Sequence, residues 1–306
     1  MSEDAPIALL TGATGLVGRR LVGALQREGF AVRALSRRSG SLGLPVGVEV
    51  LEWNGRSIGR EALFRTRAIV HLSGEPVFGG RLSPQRKRRI RDSRIESTRA
   101  IVAGIADLPE NDRPEVLVCA SAVGYYGTRG DEELPESAAP GDGFLAEVCV
   151  DWEEAAAGAE AAGVRTVSAR IGIVLAREGG ALAGLRRPFS LGLGGRLGDG
   201  RQWFPWIHAD DLVELLVAAI ADERYRGAVN AVAPGVVTNA DLTLALGRAL
   251  GRPTFMNVPA FALRLALGEL SEELLGSRRA TPAAALERGF EFAYPALEEA
   301  LAAELG

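Results

Sequence analysis

Gly12, Gly15 and Gly18 stand between an apolar run, Ile7 to Leu10, and a stretch in which Val17, Leu21, Ala24 and Leu25 recur at helical spacing. A strand, a glycine turn and a helix in that order bring a backbone close to a pyrophosphate. The helix start then offers the phosphates unpaired N–H groups and the positive end of its dipole. The spacing, G-x-x-G-x-x-G, is one residue wider at its first interval than the usual dinucleotide fingerprint, so the flanking strand and helix carry the inference. In a site for NAD an acid about 20 residues on accepts the ribose hydroxyls. Here the next apolar run closes on Ser36, Arg37 and Arg38 with no acid. Guanidinium groups pair bidentately with phosphate, so the sequence points to NADP(H).

Other constellations carry less. Gly55-Arg56-Ser57-Ile58-Gly59 has the G-x-S-x-G form of a hydrolase elbow, but no strand runs directly into it and only two histidines are on hand as a base. His208 precedes Asp210 and Asp211 at a helix start, where acids suit the dipole and cap N–H groups; substrate contact by His208 is the alternative. Tyr125 has Arg129 four positions on, a cation that lowers a phenol pKa when both share a helical face, yet Gly127 and Gly130 argue for a loop. Packing of Tyr125 or Tyr126 against a cofactor is the blander role. With Cys149 and Gln202 these are the candidate proton donors. Lys87 is the only lysine, so a catalytic lysine has one address.

Two cysteines, Cys119 and Cys149, and two histidines supply neither a disulfide framework nor a structural metal site, and no metal is expected. Arg86, Lys87, Arg88, Arg89, Arg91 and Arg99 share a helix with Arg94 and with Ile90, Ile95 and Ile101, and much of this run reads as its wet face. With a net charge of -4, nothing argues for nucleic acid as a partner.

The elements that must position these residues alternate. Apolar strands at Ala31 to Leu35, Val48 to Trp53, Ala68 to Leu72, Val116 to Ala120 and Val164 to Ile171 are separated by helical stretches at about 59–66, 84–107 and 144–162. This pattern implies an α/β fold, a parallel sheet covered on both faces. After Ile173 eight glycines between Gly179 and Gly200 predict a loop-rich segment, followed by a helix over Asp210 to Ile220 and a strand at Val229 to Ala231 that returns to the sheet. From 240 the chain is mostly helical, with Leu242, Leu246 and Leu250 on one face. The domain reading is 1–173 with 209–235 as the cofactor domain, and 174–208 with 236–306 as a smaller substrate lobe. An acidic start and apolar runs as short as Leu215 to Ile220 predict a cytoplasmic protein with no membrane partner. Its partner is a small-molecule substrate.

Several separated motifs, in order, resemble an extended short-chain dehydrogenase/reductase: the turn Thr11 to Gly18, His71-Leu72-Ser73-Gly74-Glu75-Pro76, Ser93-Arg94-Ile95-Glu96-Ser97-Thr98, and Ser121-Ala122-Val123-Gly124-Tyr125-Tyr126-Gly127. Gly194-Gly195 through Gly198, Gly200 and Gln202, then Trp206 to Asp211, and a tail with Ser277, Pro282, Gly289 and Phe290 resemble its atypical branch, the nucleoside-diphosphate-sugar epimerase-like, or cell-division-inhibitor-like, family. The resemblance implies a Rossmann doubly wound sheet holding NADP(H), with a smaller, mostly helical C-terminal substrate lobe over the nicotinamide. Position by position it puts Gly12, Thr14, Gly15, Leu16, Val17 and Gly18 on the pyrophosphate and Arg37, beside Ser36 and Arg38, on the 2'-phosphate. It also puts Trp53 near adenine, Leu72, Ser73 and Gly74 along the ribose, and Arg94 and Ser121 near the cofactor.

Ordinary members carry Tyr-x-x-x-Lys on the following helix, where the lysine lowers the tyrosine pKa. Here Gly143 to Cys149 contains neither residue. The resulting expectation is an oxidoreductase or redox epimerase acting on a small polar or sugar-like molecule, with Ser121, Tyr125 and His208 as catalytic candidates. The alternative is a non-catalytic NADP-binding regulator, and either is a monomer or homodimer.

Overall fold

The computed structural model describes residues 5–38, 40 and 42–306. In chain order the first half runs β1 (Ile7–Thr11), α1 (Leu16–Arg27), β2 (Ala31–Ser36), β3 (Glu49–Glu52), α2 (Arg60–Leu63), β4 (Thr66–His71), α3 (Pro84–Ala106), β5 (Val116–Ala122), β6 (Glu133–Leu134), α4 (Phe144–Ala157) and β7 (Arg165–Ile171). The second half is β8 (Ile173–Ala176), α5 (Gly180–Ser190), β9 (Trp203–Phe204), β10 (Trp206–His208), α6 (Ala209–Ala221), β11 (Gly227–Ala231), β12 (Val237–Thr238), α7 (Asn239–Leu250), α8 (Ala260–Leu267), α9 (Ser271–Leu275), β13 (Arg279–Ala280), α10 (Ala283–Glu287) and α11 (Leu297–Leu305).

Seven parallel strands form one sheet in the order β11-β7-β5-β4-β1-β2-β3. Strand order reverses between β1 and β4, and in such sheets a crevice opens there at the carboxyl ends. The inner strands are buried on both faces because their residues alternate between two cores. Ala8, Leu10, Val70 and Val118 pack with Leu21 and Leu25 of α1 and Leu212 and Leu216 of α6. Leu9, Ile69 and Leu117 face the other way, onto Ile95, Ile101 and Ile105 of α3 and Trp152 of α4. This is the parallel sheet covered on both faces that the alternating pattern implied, and the doubly wound, Rossmann-like fold that the resemblance implied.

The segment read as loop-rich holds more structure than expected. α5 runs through it despite Gly184 and Pro188, with Leu182 and Phe189 anchored in a third core. Pro188 sits in the last turn, where the helix ends two residues later at Ser190. The helix expected over 144–162 ends at Ala157 and tightens into a 3-10 turn, Gly158–Ala162. α7 begins in a capping box: Thr238 accepts from the Asp241 N–H while the Asp241 carboxylate accepts from the Thr238 N–H. Its Leu242 and Leu246 face Leu297 and Leu301 of α11 in the third core, as the spacing of the leucines predicted. Among the described residues, no helix is long and apolar enough to cross a membrane.

Leu246 is fully buried in that core while Leu244 on the same helix is half exposed. Leu246→Ala is expected to lower the unfolding free energy by about 2–5 kcal/mol and Leu244→Ala by less than about 0.5 kcal/mol, read from urea denaturation. Equal losses would mean that α7 does not carry this core.

Candidate cofactor and active site

The turn after β1 is built for close approach. Gly12 adopts φ +74°, and a Cβ there would sit 3.0 Å from the Leu72 carbonyl carbon. A Cβ on Gly18 would lie 2.2 Å from the Gly12 oxygen, so any side chain at 18 would push α1 off the turn. Gly15 is the N-cap of α1 and contributes no capping side chain. The N–H groups of the first helical turn are left for a ligand.

A chain of buried hydrogen bonds fixes this turn against β4 and α3. The Leu72 and Ser73 N–H groups both donate to Thr11 Oγ1 at 3.1 Å. With its lone pairs used, the Thr11 hydroxyl must donate its own proton to His71 Nδ1, 2.7 Å away. His71 therefore carries its proton on Nε2 and donates it to Ser97 Oγ at 3.0 Å, and Ser97 passes its own to the Ser93 carbonyl at 2.7 Å. Burial, and then the Arg94 charge, push the His71 pKa down to about 3, so the ring is neutral.

Above the turn lies a cavity of about 1500 Å³. Gly12, Thr14, Gly15, Ser36, Arg37, Arg38, Trp53, Leu72, Ser73 and Gly74 line it, ten of the residues the sequence nominated. Arg19 and Arg56, which sequence reasoning did not nominate, line it as well. The hydrolase-like stretch is an arch that carries Arg56. Trp53 Nε1 donates to the Ser57 carbonyl at 2.8 Å, the Arg56 N–H donates to Asn54 Oδ1 at 2.8 Å, and Gly55 supplies φ +80°. Ser57 thus sits in a loop between β3 and α2, not on a strand-to-helix elbow. A glycine cradle with four guanidinium groups around the same cavity fits a dinucleotide bearing an extra phosphate.

Leu16, Val17, Gly18, Arg94 and Ser121 are not among the lining residues. The Leu16 side chain packs on Gly179 and Gly180, and Val17 joins the α1 core. Arg94 is turned inward: its NH1 donates to the Glu75 and Ile90 carbonyls at 3.0 Å, and its guanidinium lies against Gly74 and over the Trp152 ring. The other cations of α3 follow the wet-face reading in part. Arg88, Arg89, Arg91 and Arg99 are exposed, but Arg86 is half-buried and holds the Pro76, Val77 and Gly79 carbonyls. Lys87 pairs with Glu269, across to the C-terminal segment.

One strand over, Ser121 on β5, Arg170 on β7 and Asn230 on β11 are register partners in a row, all buried. Ser121 Oγ donates to Glu153 Oε1 at 2.6 Å, and Glu153 on α4 takes two further bonds from Arg170, at 2.9 and 2.8 Å. Arg170 NH1 donates to Tyr126 OH at 2.9 Å, and that hydroxyl donates to Asn230 Oδ1 at 2.7 Å. Burial works against the Arg170 charge, but the bonds and attraction of Glu153 outweigh it and raise the pKa further. Burial also raises the Tyr126 phenol, with Arg170 pulling the other way. Glu153 is 15% exposed and points into the sheet.

The remaining candidates scatter. The cation beside Tyr125 is Arg170, 3.5 Å over its ring, whereas Arg129 pairs with Glu132. Tyr126 is fully buried on Asn230 and is not at the cavity. His208 is buried, caps α6 by accepting from the Asp210 N–H at 3.2 Å, stacks on Tyr294 and faces Glu304 at 2.9 Å, all away from the cavity lining. Asp211 accepts from the Ala293 and Tyr294 N–H groups and so ties the tail to α6. Gln202 Nε2 is committed to the Leu197 and Leu274 carbonyls. Cys119 and Cys149 are free, buried thiols, both pushed up to about 12, first by burial.

Residues 8–231 match the model of the NAD dependent epimerase/dehydratase family, and residues 258–304 match a domain of unknown function (DUF1731). An epimerase family protein of Mycobacterium bovis is 41% identical over 298 residues, covering 96% of each chain. A chloroplastic epimerase family protein of Arabidopsis thaliana is 40% identical over 304 residues, covering 96% of this chain and 85% of the relative. Among solved structures, the human epimerase family protein SDR39U1 with NADPH matches at a TM-score of 0.86 and 30% identity, covering 98% of this chain and 99% of that one.

The buried His71 makes stability acid-sensitive. Its proton is bound below about 6.5 in the unfolded chain but only below about 3 in the folded one. Between those values stability falls with falling pH by up to about 1.4 kcal/mol per unit. His71→Gln keeps one acceptor and one donor but no titration, so its deficit relative to wild type should narrow between about pH 6.5 and about pH 4 in urea denaturation. A deficit that stays constant over that range would mean that His71 charges freely in the native state.

Proposed function

This chain belongs to the NAD dependent epimerase/dehydratase family, and we propose that it is an NADP(H)-dependent oxidoreductase or redox epimerase acting on a small polar or sugar-like molecule. The observation that carries the cofactor choice is the set of four arginines, Arg19, Arg37, Arg38 and Arg56, around a cavity floored by the glycine turn. When bound, a nicotinamide cofactor supplies or takes a hydride. The first turn of α1 binds the pyrophosphate, Arg37 and Arg38 meet the 2'-phosphate with Arg56 across from them, and Trp53 borders the adenine end. Ser121, at the carboxyl end of β5, meets the reacting oxygen of the substrate. Residues 174–208 and 236–306 form the lobe that holds the rest of the substrate. The protein works in the cytoplasm, where a reducing environment suits its two free thiols.

One observation favours a second reading, a non-catalytic NADP-binding regulator: α4 carries neither tyrosine nor lysine. Hydride transfer separates the two. Protein loaded with NADPH deuterated at nicotinamide C4, on either face, is mixed with a protein-free metabolite extract and the products are searched by mass spectrometry. A metabolite labelled only when the protein is present is the expected result; full occupancy with no label from either face would leave the regulator.

The cofactor assignment is tested apart from turnover. Arg37→Asp should weaken NADPH binding by about 10–100-fold, the size of a lost charge-assisted bond, and NADH binding by no more than about twofold. Equal losses for the two cofactors would take the 2'-phosphate away from Arg37.

A further inference from the structure

Ser121 has one proton, and it is already spoken for. At 2.6 Å from Glu153 Oε1, the hydroxyl donates to a carboxylate, so what it has left for a further partner is lone pairs. Such an oxygen accepts from a hydroxyl; to serve a carbonyl it would first have to give up a charge-assisted bond. Resting on the proposed oxidoreductase function, we propose that Ser121 and Glu153 form a two-residue proton path for an alcohol-bearing substrate, with Glu153 as the positioning residue that receives the proton through Ser121.

The neighbours leave no competing acceptor. Arg170 from β7 holds both Glu153 oxygens and remains charged. Cys149, one turn earlier on the same face of α4 and within hydrogen-bond reach of Ser121, is a neutral thiol, as is Cys119 on β5. Arg94 from α3 acts on Cys149. On the far side, Tyr125 stacks on Arg170, Tyr126 binds Asn230 and Arg170, and the Glu136 carboxylate is taken up by the Asn230 and Ala284 N–H groups. Among the described residues, Glu153 is the carboxylate that touches Ser121, and its 15% exposure gives the proton a way out to solvent.

The balance is simple. In the oxidative direction the substrate O–H bond breaks and its proton bonds to Ser121 Oγ, while the proton Ser121 held bonds to Glu153 Oε1. The carbinol carbon gives up a hydride with its electron pair to oxidised NADP, the oxidant of the proposed function. Alcohol becomes carbonyl, the cofactor is reduced, and Glu153 carries one proton. Reduction runs the same path backwards.

Two measurements on the full-length protein test this. In the proton NMR spectrum, a downfield hydroxyl resonance protected from exchange is expected in wild type and missing in both Ser121→Ala and Glu153→Gln; its absence from wild type would overturn the Ser121–Glu153 bond whatever the protein catalyses. With NADP+ and a protein-free metabolite extract, wild type should form NADPH. Glu153→Gln should be slower by about 100-fold, and Glu153→Asp, which keeps the carboxylate, should recover most of the rate. NADP+ binding should change less than about twofold in each variant. Should Glu153→Gln fail to fold around an unpaired Arg170, the double variant Glu153→Gln/Arg170→Met removes the stranded charge and is held to the same outcomes. Wild-type rates in the glutamine variant would overturn the path while keeping the oxidoreductase reading. The resonance without hydride transfer in either direction by wild type would sink the oxidoreductase reading, and the path with it.

Discussion

Arg170 carries a charge it cannot shed into the middle of a parallel sheet, and much of the candidate site is arranged around that fact. A guanidinium 4% exposed must find anionic or hydrogen-bonding partners for its fork or unfold the strand that holds it. Glu153 meets it with both oxygens, Tyr126 with its hydroxyl, and Tyr125 with the face of its ring. Removing one partner from such a buried pair costs about 3–5 kcal/mol, because the other charge is left behind. The pair therefore fixes the rotation of α4 against β5 and β7, and with it which residues of α4 look into the sheet. Ser121 takes its orientation from the same carboxylate, so the carboxyl end of β5 is set by a charge two strands deep.

The same sheet face holds the second polar chain. Thr11 and His71 are register partners on β1 and β4, and His71 pairs in turn with Cys119, two residues before Ser121. Leu9, Ile69 and Leu117 precede them by two residues on each strand and lie in the apolar core with α3 and α4. The face changes character along its length, apolar toward the amino ends and hydrogen-bonded toward the carboxyl ends. Buried polar groups are tolerable there because each is matched: the Thr11 hydroxyl joins two N–H groups to His71, and Ser97 accepts from His71 and donates its own proton to a carbonyl of α3. The glycine turn is thus held from below by a network and from the side by the close fit of Gly18.

What the sequence made legible was local. Glycine spacing, apolar periodicity and the missing acid after Leu35 each lie within one strand-turn-helix unit and pointed to Gly12, Gly15, Ser36, Arg37 and Arg38 on the cavity, while Thr14, Trp53, Leu72, Ser73 and Gly74 were nominated by the family resemblance. Glu153 and Arg170 were not legible, because their partnership depends on strand register and helix rotation, which no spacing along the chain encodes. Arg56 escaped notice for a related reason: only the arch made by Trp53, Asn54 and Gly55 turns it toward Arg37 and Arg38. A signal was there, since Asn54-Gly55 is turn chemistry immediately after a strand. His208 shows the converse, a residue whose type invited a chemical role while its position before two acids already described a cap.

The departure at α4 follows from charge. A lysine on the face where Cys149 and Glu153 lie would approach Arg170 from across the sheet, and two cations in that dry space would repel at a distance where screening is weak. A tyrosine helped by such a lysine and a sheet strand carrying Arg170 are alternative electrostatic solutions for one site. With Arg170 in the strand, an acid on α4 is required, and a phenol beside that acid would be pushed toward its neutral form, the direction opposite to the help a lysine gives. Neither member of the tyrosine–lysine pair therefore suits a site whose strand carries Arg170. What sits beside the α4 carboxylate in this chain is an arginine and a serine hydroxyl, both bound to it.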